Sequence, residues 1–314
     1  MRCITLQTYD PYNNLATEEY LLKNSDKEYL ILGINSPSVI TGKHQSSHRE
    51  VNTQFVTENN IPVIRRISGG GTVFHDMGNL NFTFIRNCEE GKQVDFRKHT
   101  QPVIRFLASL GVDAKFEGKN DLKINGLKIS GNAEHIHKNR LIHHGTLLFS
   151  SSLDMMKNSI RKDTSCYNTR AVVSNPSAVS NLNKYLFSVR DIFQFRDDFM
   201  NYLIGHEAGA HHYVLNEDEN NAIADLSASK YQSWEWNWAY GPDYQFIKQF
   251  DYQGVSIICK LAVTGGIIRE CSLKGNILLE KLEQKFTGVK HMPGDMKELF
   301  LKENISDINI FNFF

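Results

Sequence analysis

Three consecutive glycines, Gly69 to Gly71, restrict the possible folds of this chain more than any other feature. They follow IPVIRRIS, which has the pattern of a short strand, and they precede TVFHD. Glycine loses more backbone entropy on folding than any other residue, so three in a row need a structural reason. A hairpin turn between two strands is one reason. The other is a loop whose backbone N–H groups, free of Cβ atoms, close around an anion.

Two arginines and a serine beside the glycines favour the anion-binding loop. Arg65 and Arg66 precede the loop, and Ser68 opens it. A guanidinium can hold a phosphate by two parallel hydrogen bonds, so this pair suggests a phosphate clamp. No Gly-Lys-Ser/Thr follows the glycines and no GxGxxG opens a helix, which argues against a P-loop or a dinucleotide fingerprint.

The segment NLNFTFI alternates in polarity directly after this loop. Apolar side chains at positions 80, 82 and 84 face one way, and polar side chains at 79, 81 and 83 face the other. A period of two over this length predicts a half-buried strand.

The stretch NDLKINGLKISGNA places a lysine before a second loop of small residues. Asn125 and Gly126 predict a two-residue hairpin turn, which would bring Asp121 and Lys128 towards each other. A solvated surface ion pair would contribute little to stability. A lysine between two loops of small residues suits instead a point charge that acts on an anionic substrate.

Adjacent histidines on a predicted strand cannot serve one site together. His143 and His144 lie in LIHHGTLLF, and neighbouring residues of a strand point to opposite faces. The pair is therefore a poor set of metal ligands. His75 and Asp76 are adjacent as well, so they do not form a catalytic dyad easily.

The C-terminal part of the chain has its own pattern. Tryptophans at 234, 236 and 238 alternate at period two, which predicts a buried strand or a seam between domains. Beyond the turn dipeptide Gly241–Pro242, two strands and two helices follow. We predict a catalytic domain over 1–241 and a small α+β accessory domain over 246–314. Strands and helices mix without a βαβ rhythm, which favours the α+β class with a mixed sheet.

Composition excludes several classes of protein. The 314 residues carry a formal net charge of zero and no basic block, which argues against a nucleic-acid binder. The sequence contains no run of 18 apolar residues, so it predicts no membrane span. The N-terminus lacks a signal-peptide pattern, and the five cysteines are scattered. We therefore expect a cytoplasmic protein.

The motifs together resemble the lipoate–protein ligase A family. RRISGGGTVFHDMGNLNFTF, NDLKINGLKISGNA and HHGTLLF stand in that family's order and spacing, with DPYNNLATEEYLL and NSPSVITGKHQ before them and WEWN after them. The resemblance implies a biotin/lipoate ligase-type catalytic domain, with a mixed β-sheet flanked by helices, and a small C-terminal accessory domain.

The activity implied by the resemblance is ATP-dependent ligation. Lipoate would be activated to lipoyl-AMP, with Mg2+ accompanying the ATP. The lipoyl group would then pass to a lysine of an acceptor protein. The implied acceptors are lipoyl domains of 2-oxoacid dehydrogenase E2 subunits and the glycine cleavage H protein. A monomer is expected.

The resemblance also assigns roles to residues. Lys128 would be the catalytic residue and would stabilise charge on the acyl oxygen and the α-phosphate. Asp121 would orient the adenylate or hold a metal ion, and Val73 and Ile129 would help to hold the lipoyl tail. The implied substrate- and adenylate-binding residues are Arg66, Ser68, Gly69, Gly70, Gly71, His75, Asn79, Asp121, Ser130, Gly131, Ala133 and His144.

Some positions depart from the family pattern and leave alternatives open. Lys43, Ser46 and His135 stand where the family often has arginine, asparagine and arginine. A lipoyltransferase of the same fold, which uses pre-activated or protein-bound lipoyl groups, is the main rival. A biotin ligase would normally have a GRGRxGR-like loop, which is missing here. A non-enzymatic protein that docks acidic domains is the third alternative.

Overall fold

The computed structural model describes residues 1–88, 95–305 and 307–314. The strands are β1 (Arg2–Thr5), β2 (Tyr29–Ile34), β3 (Ser38–Thr41), β4 (Val63–Arg65), β5 (Val73–His75), β6 (Asn79–Asn87), β7 (Lys115–Glu117), β8 (Asp121–Ile124), β9 (Leu127–His137), β10 (Arg140–Leu148), β11 (Tyr167–Thr169), β12 (His211–His212), β13 (Tyr244–Tyr252), β14 (Val255–Thr264) and β15 (Ile267–Lys274). The α-helices are α1 (Pro11–Asn24), α2 (Ser47–Glu50), α3 (Thr53–Glu58), α4 (Phe96–Ser109), α5 (Leu153–Ser159), α6 (Ile192–His206), α7 (Glu217–Leu226), α8 (Ile277–Glu280), α9 (Glu283–Phe286) and α10 (Pro293–Lys302).

A long mixed sheet of eight strands is built from segments between residues 2 and 212. Its strands lie in the order β12-β1-β2-β6-β10-β9-β8-β7. Strand β1 is parallel to both of its neighbours, and the other pairs are antiparallel. Helices pack on both faces, which confirms the predicted α+β class with a mixed sheet.

Strand β6 shows how the two faces of the sheet differ. Phe82 and Phe84 lie in one core cluster with residues of α4 and α6. Ile85 lies in another cluster with residues of α1 and α7. Asn81 and Thr83 share the face of Ile85 and line a cavity, and Thr83 is itself buried. The alternation was predicted correctly, but the strand is covered on both faces rather than half-buried.

The glycines do not form a hairpin turn. Strands β4, β3 and β5 form a small sheet in which β3 lies in the middle, parallel to β4 and antiparallel to β5. The loop that contains the glycines therefore crosses from one side of β3 to the other. The hairpin alternative is wrong because the two strands that flank the loop are not neighbours.

The predicted hairpin between β8 and β9 is confirmed. Asn125 and Gly126 have φ angles of 49° and 78°, the left-handed backbone that this two-residue turn needs. The two strands pair from Asp121 opposite Gly131 to Ile124 opposite Leu127, with a register shift after Leu122.

The C-terminal residues form a separate core around the sheet β11-β13-β14-β15. Strand β11 joins this sheet from far earlier in the chain.

The segment Glu235–Ala239 is a π-helical turn, so the predicted tryptophan strand is wrong. Asn237 holds this turn, because its side chain donates to Tyr231 O and accepts from Arg65 N. The domain limits of 1–241 and 246–314 stay a prediction.

Trp234 and Trp238 lie at a seam between the two parts of the chain, whereas Trp236 packs against the core that contains residues of α1 and α7. The Trp238 ring packs 4.8 Å from the His48 ring of α2. The Trp234 ring lies so close to Gly266 that a Cβ there would come within 2.8 Å of it. Among the described residues, no helix has the length and apolar character that a membrane crossing requires.

Candidate active site

A cavity of about 630 Å³ lies between the large sheet, the small sheet and α1. It is lined by nine of the residues that the sequence predicted, namely Lys128, Arg66, Gly70, Gly71, His75, Asp121, Gly131, Ala133 and His144. The other four of the thirteen residues predicted to be catalytic or to bind substrate or adenylate do not line it, namely Ser68, Gly69, Asn79 and Ser130. Val73 lines the cavity, but Ile129 lies in the core on the other face of the sheet, so it does not hold a ligand there.

Lys128 and the glycine loop face the same cavity. Lys128 Nζ lies 2.8 Å from Asp121 Oδ1, and the two side chains are 23% and 21% exposed. Gly131 leaves room for this lysine, because a Cβ there would come within 3.0 Å of Nζ. The backbone of Lys128 is fixed by residues 178 and 180. Its N–H donates to Ala178 O, and its carbonyl accepts from Ser180 N. An ammonium group is thus held at the cavity wall.

Arg66 organises the glycine loop from inside. Its guanidinium donates to Ser68 Oγ, Ile40 O, Gly69 O and Gly71 O. Burial lowers the pKa of Arg66 to about 10, so the side chain stays charged near neutral pH. Because the carbonyls of Gly69 and Gly71 turn towards Arg66, the arginine shapes the backbone of the glycine loop as well as bordering the cavity.

The loop leaves backbone donors available to a ligand. Within the described part of the chain, the N–H groups of Gly70 and Gly71 donate to no protein acceptor, and both residues line the cavity. Gly70 has a φ of +88°, and a Cβ there would lie 3.0 Å from Arg66 Nη2. Thr72 N, in contrast, donates to Ser174 Oγ at 2.9 Å.

Arg65 does not act at the cavity, so its prediction as part of a phosphate clamp is wrong. Its guanidinium donates to Gly42 O, Gln45 O, Ser47 Oγ and other acceptors away from the cavity. Burial lowers the pKa of Arg65 to about 10. The side chain joins the loop before α2 to the tryptophan turn, which is a structural role.

A chain of hydrogen bonds connects the glycine loop to α1. Ser68 Oγ lies 2.6 Å from His144 Nε2, and His144 Nδ1 lies 2.7 Å from Glu18 Oε2. Thr83 donates to the other oxygen of Glu18 at 2.5 Å. Ser68 is therefore a buried support of the loop. Glu18 also lines the cavity, and the sequence prediction missed it. The available signal was its position four residues after Asn14, which places both polar side chains on the buried face of α1.

The remaining predicted residues support the walls. His75 Nδ1 lies 2.9 Å from Asn35 Nδ2, and burial, followed by the charge of Arg66, lowers the pKa of His75 to about 3. Asn79 donates to Asn81 Oδ1, and Ser130 is fully buried. Lys43, Ser46 and His135, which depart from the family pattern, do not line the cavity. Cavity residues that the prediction missed include Lys119, Asn120, Asn132 and Ser174.

The two adjacent histidines point to opposite faces, as predicted. His144 reaches the cavity, whereas the His143 ring packs near Phe82 and Phe84 on the other side.

The chain matches the family model described as the lipoyl protein ligase A/B catalytic domain over residues 10–204. It is 34% identical over 311 residues to lipoate–protein ligase 1 of Staphylococcus aureus, covering 97% of this chain and 93% of the relative. It is 38% identical over 271 residues to lipoate-protein ligase LplJ of Bacillus subtilis, covering 85% and 82%.

Solved structures with the same fold include two whose bound ligands are named and one described together with an E2 lipoyl domain. A putative lipoate protein ligase of T. acidophilum with bound lipoic acid superposes with a TM-score of 0.64 at 25% identity, covering 75% of this chain and 98% of the other. A lipoate-protein ligase A bound with ATP has the same score and identity, with 75% and 97% covered. A bipartite ligase of Thermoplasma acidophilum, described together with its E2 lipoyl domain, also has a TM-score of 0.64 at 25% identity. The match covers 75% of this chain and 95% of the other.

Proposed function

Since this chain belongs to the lipoyl protein ligase A/B catalytic domain family, we propose that its cavity binds lipoate and ATP and forms lipoyl-AMP. The chain is an enzyme, a lipoate–protein ligase, as its relatives over nearly the full length are. The observation that carries the proposal is that Lys128 and the glycine loop line one cavity. A cation and free backbone N–H donors on the same cavity suit an acyl-phosphate linkage.

The first half-reaction joins the lipoate carboxylate to the α-phosphorus of ATP, and pyrophosphate leaves. Negative charge on the α-phosphate grows as the new bond forms. The Lys128 ammonium would stabilise this charge without forming a bond itself, and the loop at Gly70 and Gly71 would donate to the phosphate oxygens. Fixed donors of this kind act strongly in a cavity that excludes water.

The second half-reaction passes the lipoyl group to an acceptor lysine. Its uncharged amine attacks the acyl carbonyl and an N–C bond forms. The C–O bond to AMP then breaks, AMP leaves with the bonding electrons, and the nitrogen releases one proton to solvent. Charge develops on the carbonyl oxygen during this attack, so Lys128 can serve both steps. His144, held by Glu18 and Ser68, lines the same cavity and would shape the acyl end of the site.

The donors at the cavity fit a magnesium ion that arrives with ATP. Mg2+ usually keeps several waters and binds one or two carboxylates together with substrate phosphates. Asp121 offers one carboxylate at the cavity and shares one of its oxygens with Lys128. We propose that Asp121 holds Mg2+ against the phosphates, where the ion would neutralise phosphate charge.

The acceptors of a lipoate–protein ligase are lipoyl domains, and the relative from Thermoplasma acidophilum was studied with its E2 lipoyl domain. We propose E2 subunits of 2-oxoacid dehydrogenases and the glycine cleavage H protein as the acceptors of this chain. A cytoplasmic location and a monomeric state complete the proposal.

The proposal is tested by lipoylation of an apo lipoyl domain, followed by intact-protein mass spectrometry. Lipoate, ATP and Mg2+ together should add one lipoyl group, and omission of ATP should abolish the addition. The rival lipoyltransferase would add the group only when lipoyl-AMP or a lipoylated donor protein is supplied. Modification that needs such a donor and is unchanged by ATP and lipoate would refute the proposal.

A further inference from the structure

Two histidines and a glutamate meet on the face of the sheet opposite the cavity. His99 comes from α4, Glu134 from β9 and His143 from β10. His143 Nδ1 lies 2.7 Å from Glu134 Oε1, and His99 Nδ1 lies 3.1 Å from the same oxygen. In the ranges that the structure describes, these are the only three His, Cys, Asp or Glu side chains whose ligand atoms converge, all within 4.8 Å of one another.

The cluster has unmet bonding capacity. The Glu134 side chain is 0% exposed, yet its Oε2 has no hydrogen-bond partner among the described residues. No lysine or arginine of the described chain forms an ion pair with Glu134. A buried carboxylate is costly unless charges and hydrogen bonds compensate it, and two imidazoles satisfy only one of its oxygens.

We propose that His99, Glu134 and His143 bind a divalent transition-metal ion, with Zn2+ as the best match. Two imidazole nitrogens and one carboxylate oxygen are a zinc ligand set that leaves a fourth position open. Calcium and magnesium prefer all-oxygen sites and fit this set poorly.

The distances are close to those of a coordinated ion. Ligand atoms at ~2.1 Å from one Zn2+ lie roughly 3.0 to 3.5 Å apart in tetrahedral or near-tetrahedral geometry. The 3.1 Å separation at His99 already fits. The 2.7 Å separation at His143 has to open by a few tenths of an ångström, which a small rotation of the Glu134 carboxylate supplies.

An ion has a route to this site. The His99 side chain is 16% exposed and borders a surface cavity of about 1000 Å³ that also contains Asp95, Lys98 and Cys88. The two other ligands lie deeper, so the open coordination position would face this cavity beside His99.

The position of the site gives it a structural role beyond the ligase chemistry. Glu134 and His143 are directly opposite each other in the β9–β10 ladder. The next pair, Ala133 and His144, points to the other face and lines the substrate cavity. A metal that also holds His99 would fasten α4 to the back of this ladder and stiffen the cavity wall.

The test is a zinc titration of the full-length, chelator-treated protein by calorimetry, with excess Mg2+ present to occupy oxygen sites. We expect one Zn2+ to bind per chain and the Tm to rise with zinc concentration. His99→Ala removes a ligand at the partly exposed rim and should weaken zinc binding at least about ten-fold. The matched control is His137→Ala, on the same strand as Glu134 but outside the cluster, which should bind zinc like the wild type.

Two results would overturn the proposal: no stoichiometric zinc binding by the wild type, or equal binding by His99→Ala. Either would leave a metal-free cluster of hydrogen bonds. Glu134→Gln is a second variant, expected to lose zinc binding. If it does not fold, the comparison of His99→Ala with His137→Ala decides alone.

Discussion

At the scale of single residues, the account depends most on Lys128. Its ammonium forms an ion pair only with Asp121 among the described residues, so its removal should scarcely affect folding. We predict that Lys128→Ala lowers the rate of lipoylation roughly hundred-fold or more, because a charge contact in the transition state is lost. Steady-state lipoylation of a lipoyl domain measures the effect.

Lys123→Ala is the matched control for this substitution. Lys123 lies opposite Lys128 on the hairpin, and its side chain is also 23% exposed, but it pairs with Glu117. The control should retain near-normal activity. Equal losses in the two variants would mean that general positive charge, and not the position of Lys128, matters.

Substitutions of two adjacent glutamates of α1 should affect activity and stability differently. Glu18 contacts His144 at the cavity, whereas Glu19 binds Lys230 and Tyr231. We predict that Glu18→Gln lowers activity at least about ten-fold, because an amide cannot accept from both Thr83 and His144 as the carboxylate does.

Glu19→Gln should show the opposite pattern. It should lower the free energy of unfolding by roughly 1–3 kcal/mol, because buried partners are left unpaired, and leave activity nearly unchanged. Chemical denaturation and lipoylation assays on both variants measure the two effects. A Glu19 variant that is as inactive as the Glu18 variant would contradict the assignment.

At the scale of elements, the glycine loop can be tested with matched backbone strain. Gly70 and Gly111 have φ angles of +88° and +81°. Alanine at either site should destabilise the protein by about 1–2 kcal/mol, because an L-residue is strained there. Nothing lies within 4 Å of a Cβ at Gly111, whereas a Cβ at Gly70 meets Arg66 inside the glycine loop.

We therefore expect both variants to lose stability, Gly70→Ala somewhat more because the buried Arg66 must shift, but only Gly70→Ala to lose ATP affinity. Thermal unfolding and the KM for ATP are the measurements. If Gly111→Ala loses ATP affinity as well, the strain itself and not the loop explains the defect.

Local signals predicted the elements well, and long-range contacts explain the misses. The Asn125–Gly126 turn and the opposed His143 and His144 follow from backbone rules that act over a few residues. Arg65 was misassigned because its partners include Asn237, which is 172 residues away. Glu18 was missed for the same reason, since its role needs His144, 126 residues along the chain.

At the scale of the whole molecule, the seam between the two cores should be sensitive to acid. His291 is buried at this seam, where its ring stacks 5.0 Å from the His48 ring of α2. Its Nδ1 lies 2.6 Å from Tyr244 Oη, and its Nε2 lies 2.6 Å from Phe313 O. Burial lowers the pKa of His291 to about 4. An unfolded histidine has a pKa near ~6.5 and takes up a proton first as pH falls.

The contribution of His291 to the free energy of unfolding should therefore be complete above about pH 6.5. It should fall as pH drops towards about 4, by at most ~1.4 kcal/mol per pH unit. His291→Gln should reduce the slope of stability against pH over this window by close to one proton. The same substitution at the exposed His212 is the control. Denaturation curves at several pH values give the slopes, and an unchanged slope in the His291 variant would contradict the prediction.

Lipoate-dependent exchange of pyrophosphate into ATP tests the central claim most directly, because it reports formation of lipoyl-AMP without any acceptor protein. The account predicts rapid exchange by the wild type that requires lipoate and is not supported by biotin. It also predicts loss of this exchange in Lys128→Ala. An active protein that transfers lipoate from supplied lipoyl-AMP but shows no exchange would contradict the claim that this cavity performs the adenylation.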